Sequence, residues 1–415
     1  MDEHVSAPGR RANLWLPALA VALLGVVAAV AFYRVVYGSV AELVAALDHC
    51  QELYCDFTRQ YYPTGRDILT TGQPSNGYFY SSFFALLLAP FGRVAPETAA
   101  SLWTLVQLLG IALLLLPALD FGRESPAAGA LYVVLLAFSM PLLHNLKWGQ
   151  VSTLVTGGAF AALYLYRRGR LTAAAVVLAL AVAVKYYVAI VAIAFLLRRE
   201  WRLLLVLAVA FLVLWLVVPT VALGPAGNAA FYATVRERAA HAMTTWVTED
   251  INAQYLPSVA GRWLGTAAGR PLWRLLGYGL FGLNLLAVAR LVWRRAPRDM
   301  EWAFALLFLG LPLAIDTSWP HYFVYLPFAQ TLVWLALREA TGWTRRLVAL
   351  FLVISVVLAS MPFFALVGRW QDYSQYGVLF VANLGLLIAA HVLTLRPAER
   401  SGRPALPAEP PAAGR

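Results

Sequence analysis

Charge is what this sequence has least of. Only 13% of its 415 residues are Asp, Glu, Lys or Arg, about half the share usual in a soluble chain. Lysine is scarcer still, because the 32 basic residues include just Lys147 and Lys185. So little charge disfavours a disordered chain, a coiled coil and a nucleic-acid-binding domain, even with a net charge of +11. Chemical motifs are missing too. The polar connections hold no His-x-x-x-His pair, Asp-x-Asp triplet or cysteine cluster, so nothing calls for a metal or other cofactor. Neither a Gly-rich phosphate loop nor a Gly-x-Ser-x-Gly elbow is present, which removes the usual signals of nucleotide and hydrolase chemistry.

What fills the chain is apolar. Hydrophobic residues make up 61% and the mean hydropathy is +0.69, so the main solvent is a bilayer. The first long run, 14–36, can cross about 30 Å of hydrocarbon and lacks the short core and small-residue site of a cleaved signal. Further runs occupy roughly 97–119, 127–143, 150–166, 203–222, 275–292, 301–315, 323–337, 345–362 and 377–395. Between Arg170 and Arg198 the apolar stretch is interrupted by Lys185-Tyr186-Tyr187, which reads as two half-crossings meeting at Lys185. That gives an all-α polytopic protein of about twelve crossings with both termini inside. It also puts Arg167-Arg168, Arg198-Arg199, Arg294-Arg295 and Arg345-Arg346 together on the cytoplasmic side. Residues 1–13 are then a cytoplasmic N-terminus, 14–395 the membrane domain, and 396–415 a Pro-, Ala- and Arg-rich disordered tail. Two long outer loops are expected, 37–96 and 223–274. Trp246, Trp263, Trp319 and Trp370 fall near outer boundaries, where aromatic belts form.

The first outer loop carries the densest polar chemistry, in "CDFTRQYYPTGRDILTTGQPSNGYFYSSFF". A helix over 56–69 would place Asp56, Arg59 and Gln60 on one face, with Tyr62 and Arg66 on the next turns. Two readings stay open: Asp56 and Arg59 form a solvated ion pair, or the group handles a lipid-borne substrate at the membrane surface. Arginine suits phosphate, whose oxygens match its planar fork. The apolar segment 81–92 is too short to cross and is expected in the interface or as a re-entrant dip. Cys50 and Cys55 can close a small ring on an oxidising side, although a continuous helix would point them apart.

An Asp soon after the first crossing, followed by this Tyr-Tyr/Gly-Arg run, resembles glycosyltransferase family 87, a polytopic branch of the GT-C superfamily. Three later segments are similar to that family's pattern in the same order. "KWGQVSTL" opens a crossing with Gly149 and Gln150, "AVAVKYYVAIVAIAFLLRREWR" centres on Lys185, and "DTSWPHYFVYLP" contains Trp319 and His321. The pattern departs at Ser81-Ser82, where the family has Pro-Pro, and at "INAQYLP", where Ala253 splits Asn252 from Gln254. A proline usual near the lysine is missing as well.

The resemblance implies transfer of a sugar, mannose in the best-known members, from a polyprenyl phosphate to a glycolipid or glycan hydroxyl, with inversion. The chemistry would sit on the outer face of the plasma membrane, among membrane lipids and without nucleic acid. Asp56 is the candidate general base and His321 its catalytic companion, as a phosphate donor or an orienting group. Lys185, Arg59, Arg66 and Arg262 are candidates for the donor phosphate, and Tyr62, Gln150, Asn252, Gln254 and Trp319 for sugar or acceptor. Blander roles stand beside these: Lys185 snorkelling to the surface, His321 in an interfacial belt, the amides as caps. A lipid-carrier flippase gated by Asp56, Lys185 and His321 is the rival from another class, and an inactive scaffold a third.

Overall fold

The computed structural model describes residues 15–395 except 49, 248, 266–269 and 297. The polar N-terminus and the C-terminal tail anticipated from sequence lie outside the described residues. Helices account for nearly all of the rest, and no strand occurs among the described residues. Four helical runs are long and apolar enough to cross a membrane: Trp15–Tyr37, Pro96–Glu124, Trp201–Val247 and Arg270–Trp293. The protein is therefore an all-helical membrane protein. The remaining apolar stretches are helical too, in shorter pieces such as Ser152–Arg167, Asp299–Ala314 and Val378–Thr394.

Burial sorts these helices. Trp15–Tyr37 buries only Ala29 and presents leucines and valines outward, as a lipid-facing helix must. Asp299–Ala314 and the first two turns of Leu326–Leu337 are buried on every side and form the centre. Around them Ser152–Arg167 packs on Pro96–Leu114 and on Leu171–Val184, and Gly342–Leu358 packs on Val378–Thr394. Small residues set the closest approach. A Cβ on Gly157 would stand 2.6 Å from Leu113 Cβ, and one on Gly110 would stand 2.7 Å from Thr153 Oγ1.

Several connections are more ordered than their composition suggests. Within 37–96, helices Val40–Ala46, Tyr62–Thr71 and Ser82–Leu88 fold back onto the bundle. Ser82–Leu88 falls in the segment 81–92, expected in the interface or as a re-entrant dip, and it does not lie in the interface. Instead Ser82, Phe83, Phe84, Ala85 and Leu88 are buried, and the helix packs on Tyr62–Thr71, Leu171–Val184 and Val218–Ala242. The expected loop 223–274 is likewise largely helical. Gly224, at φ 73° and ψ 159°, breaks the run, and Pro225 restarts it at a position that needs no N–H donor.

The helix break anticipated at Lys185 is present. Leu171–Val184 ends there, Lys185 is extended, and a 3-10 segment Tyr186–Val191 follows. Cys50 and Cys55 are joined by a disulfide. The bridge forms because Cys50 lies outside the helix, with Tyr54 left-handed at φ 62° turning the chain between them.

Two outcomes follow for stability. Gly157→Val is expected to cost about 1–3 kcal/mol through overpacking against Leu113, read as a lower melting midpoint in detergent. Reduction of Cys50–Cys55 removes the restraint on so short a loop, about 2 kcal/mol by the chain-entropy rule, and lowers the melt of wild type but not of a Cys50→Ser, Cys55→Ser double variant.

Candidate active site

The site begins with a disturbed helix start. After Cys55 and Asp56 the chain makes a π-helical turn, Phe57–Tyr61, before continuing as Tyr62–Thr71. The wider turn swings Arg59 outward and Tyr61 inward. Arg59 pairs with Glu52 at 3.0 Å on the surface, so the ion pair considered between Asp56 and Arg59 does not form. Asp56 is buried and accepts instead from Gln60 Nε2 at 2.9 Å and from Gln150 Nε2. Burial raises its carboxyl to about 6, against which the Gln150 hydrogen bond and the nearby ammonium groups of Lys185 and Lys147 pull downward.

Gln150 is delivered by the end of helix Met140–Trp148. That helix closes in a Schellman motif: Gly149 is left-handed at φ 64°, Gln150 N–H donates to Asn145 O, and Gly149 N–H donates to Leu146 O. A side chain on Gly149 would meet Tyr54 Cβ at 2.9 Å, so glycine is required twice over. The Gln150 carbonyl is also gripped, by Gln107 Nε2 at 3.0 Å and Asn145 Nδ2 at 2.9 Å.

Lys185 reaches the same glutamine from the break after Val184. Its Nζ donates to Gln150 Oε1 at 2.9 Å and Ser152 Oγ at 3.3 Å, and lies 3.4 Å from His321 Nε2. With Lys185 as an ammonium, which can only donate, His321 Nε2 accepts and the neutral ring carries its proton on Nδ1. That Nδ1 has no hydrogen-bond partner among the described residues. His321 sits on the buried 3-10 turn Pro320–Tyr325, which packs against Met140–Trp148. Its ring stacks on His144 at 5.7 Å, and His144 stacks on Trp370 at 4.8 Å. The Lys185 ammonium also lies over the Tyr322 ring at 4.5 Å.

Asp56, Gln150, Lys185 and His321 all line one cavity of about 570 Å³. Trp319 and Asn252 line it too, Trp319 with its ring 6.2 Å from that of Trp246. Asn252 donates to Asp48 at 3.3 Å and accepts from Trp370 Nε1 at 2.9 Å. One wall is apolar and comes from the long run Trp201–Val247, through Phe211, Trp215, Val235 and Met243.

Five residues singled out in the sequence lie elsewhere. Arg66 is exposed and paired with the adjacent Asp67 at 2.7 Å. Arg59 is held by Glu52, as described. Arg262 ties its helix to the chain end of Trp370–Gln375, donating to Gln375 O at 3.1 Å and Ala253 O at 3.0 Å. Tyr62 donates to Val94 O at 3.0 Å, because the π turn puts Tyr61 at the position the helical pattern gave Tyr62. Gln254 is spent on Ser374 O at 3.1 Å and Phe380 N at 3.4 Å. Trp370, expected in an interfacial belt, is buried instead against His144. Conversely, the sequence reading missed His144, Tyr61, Tyr80 and Tyr322. His144 had a signal: it lies one turn before Lys147 and Trp148 on the helix that delivers Gln150.

The profile of glycosyltransferase family 87 matches residues 78–315, more than half of the chain, and so takes in Gln150 and Lys185 but not Asp56 or His321. No curated protein and no solved structure matches it. With the family profile running through the helices that build this cavity, the chain belongs to glycosyltransferase family 87.

Proposed function

We propose that this glycosyltransferase moves a sugar, mannose by the family resemblance, from a polyprenyl phosphate to a hydroxyl of a glycolipid or glycan acceptor. The observation that carries the reading is the convergence of a buried carboxylate, an ammonium and a neutral imidazole on one cavity. Asp56 takes the acceptor O–H proton as the oxygen forms its bond to the anomeric carbon. The bond from that carbon to the phosphate oxygen breaks, its electron pair stays on the phosphate, and the anomeric centre inverts. Lys185 supplies positive charge to the leaving phosphate, and the unpartnered His321 Nδ1–H supplies a hydrogen bond. The apolar wall of Phe211, Trp215, Val235 and Met243 suits an isoprenoid chain lying beside the phosphate. Trp319 and Asn252 remain as contacts for sugar or acceptor. In the twelve-crossing arrangement the cavity opens on the outer face of the plasma membrane. There the disulfide beside Asp56 meets an oxidising milieu.

The test is transfer from radiolabelled polyprenyl-phosphate mannose to a total lipid extract, using purified protein in detergent and mass spectrometry of the product. Asp56→Asn is expected to lower turnover by about 10²–10⁴-fold, the usual contribution of a positioned base. Turnover within a few-fold of wild type would remove Asp56 from that role. Donor movement across liposomes without any product would favour the flippase.

The carboxylate is the active form. With its carboxyl raised to about 6, the wild-type rate is expected to fall about tenfold per unit below that pH. A rate flat down to pH 5 would contradict the assignment.

A further inference from the structure

The Gln150 side chain is nearly used up by the protein itself. Its Oε1 accepts from Lys185 Nζ at 2.9 Å and Tyr80 OH at 2.9 Å, while Tyr61 OH, 3.1 Å away, directs its single proton to Tyr80 OH at 2.7 Å. Two donors fill the two lone pairs of this oxygen and leave no capacity for a sugar hydroxyl. Lys185, whose ammonium can only donate, fixes which end of the amide is which, so Nε2 faces Asp56. One N–H goes to Asp56 Oδ2, leaving a single proton for anything else. The backbone on either side is equally committed, in the Schellman closure and in the bonds from Gln107 and Asn145. A residue held this firmly and facing inward on both ends is a poor substrate contact.

We propose that Gln150 is a positioning residue of the transfer reaction: its amide stands between the Asp56 carboxylate and the Lys185 ammonium, orienting the one and separating it from the other. Separation matters because the two groups have opposite tasks. In direct contact they would form a buried ion pair, which would occupy the carboxylate as a base and cancel the cation meant for phosphate. With the amide between them, Asp56 keeps a free face toward the acceptor and Lys185 keeps its charge toward the donor. The inference rests on Asp56 acting as the base, so its test includes a measurement that needs no turnover.

Two variants separate hydrogen bonding from packing. Gln150→Met keeps the length and volume of the side chain and adds no charge but has no N–H for Asp56. Gln150→Leu keeps bulk and loses both ends. The charged and titratable groups facing Asp56, namely Lys185, Lys147, Asp48, Tyr61 and Tyr80, stay in place in each. Infrared difference titration follows the Asp56 carboxyl directly, with the same protein carrying Asp56→Asn as the blank for each variant. The midpoint is expected to rise by about one pH unit or more in both variants, since loss of a donor to the charged form disfavours it. The acid limb of the transfer rate should move with it. A midpoint unchanged in Gln150→Met, with turnover merely lower, would reduce Gln150 to a packing residue and overturn the proposal. That outcome is distinct from failure of the base assignment, which would show as an active Asp56→Asn enzyme with the infrared shift intact.

Discussion

A carboxylate cannot be buried beside an apolar bundle unless donors are built to meet it, and here the amide of Gln150 is the principal one. Much of the surrounding architecture follows from that requirement. The helix Met140–Trp148 has to stop where it does, with a left-handed glycine, so that the next residue points at Asp56. The chain after Leu171–Val184 has to break at Lys185, because a continuous helix would carry the ammonium past the amide. The turn Pro320–Tyr325 must sit against Met140–Trp148 to bring His321 within 3.4 Å of that ammonium. Three helix ends thus meet at one side chain. Backbone irregularity in a membrane protein is tolerated where it is buried in protein or lines a polar cavity, and these breaks satisfy both conditions.

The second requirement is rigidity around this carboxylate. On one side the chain is tied by the Cys50–Cys55 bridge; on the other, the aromatic rings of Phe57, Tyr61 and Trp103 pack into the bundle, with Phe57 stacked on Trp103 at 4.7 Å. Trp103 Nε1 in turn donates to Gly149 O at 2.9 Å, so the segment that carries Asp56 and the segment that carries Gln150 share one aromatic anchor. The carboxylate proposed as the base is thereby held firmly at the start of its helix.

Much of this was legible in the sequence because rare things were conspicuous there. In a chain with two lysines, a lysine in the middle of an apolar stretch marks a cavity or a break, and Lys185 is at both. Asp56 and His321 stood out in the same way, as polar groups at the edges of apolar runs. What the sequence did not disclose was register and partnership. One π-helical turn exchanged the roles of Tyr61 and Tyr62 and turned Arg59 toward Glu52. No periodicity announces such a turn. Arg66 and Arg262 were attractive for phosphate by residue type, but their pairing with Asp67 and with backbone carbonyls depends on the tertiary fold. His144 was hidden by a similar cause: its stacking between His321 and Trp370 joins residues far apart in the chain.

The bend at Gly224 has a geometric corollary. A straight helix of 47 residues would be about 70 Å long, more than twice the thickness of the hydrocarbon layer. Such a rod would have to project far into water or lie almost flat. Hinged where glycine adopts a conformation closed to other residues, the single rod becomes two arms, one able to stand among the lipids and the other free to turn aside. Both arms contribute to the same chamber, Phe211 and Trp215 from the first, Val235 and Met243 from the second, so its greasy flank is an elbow.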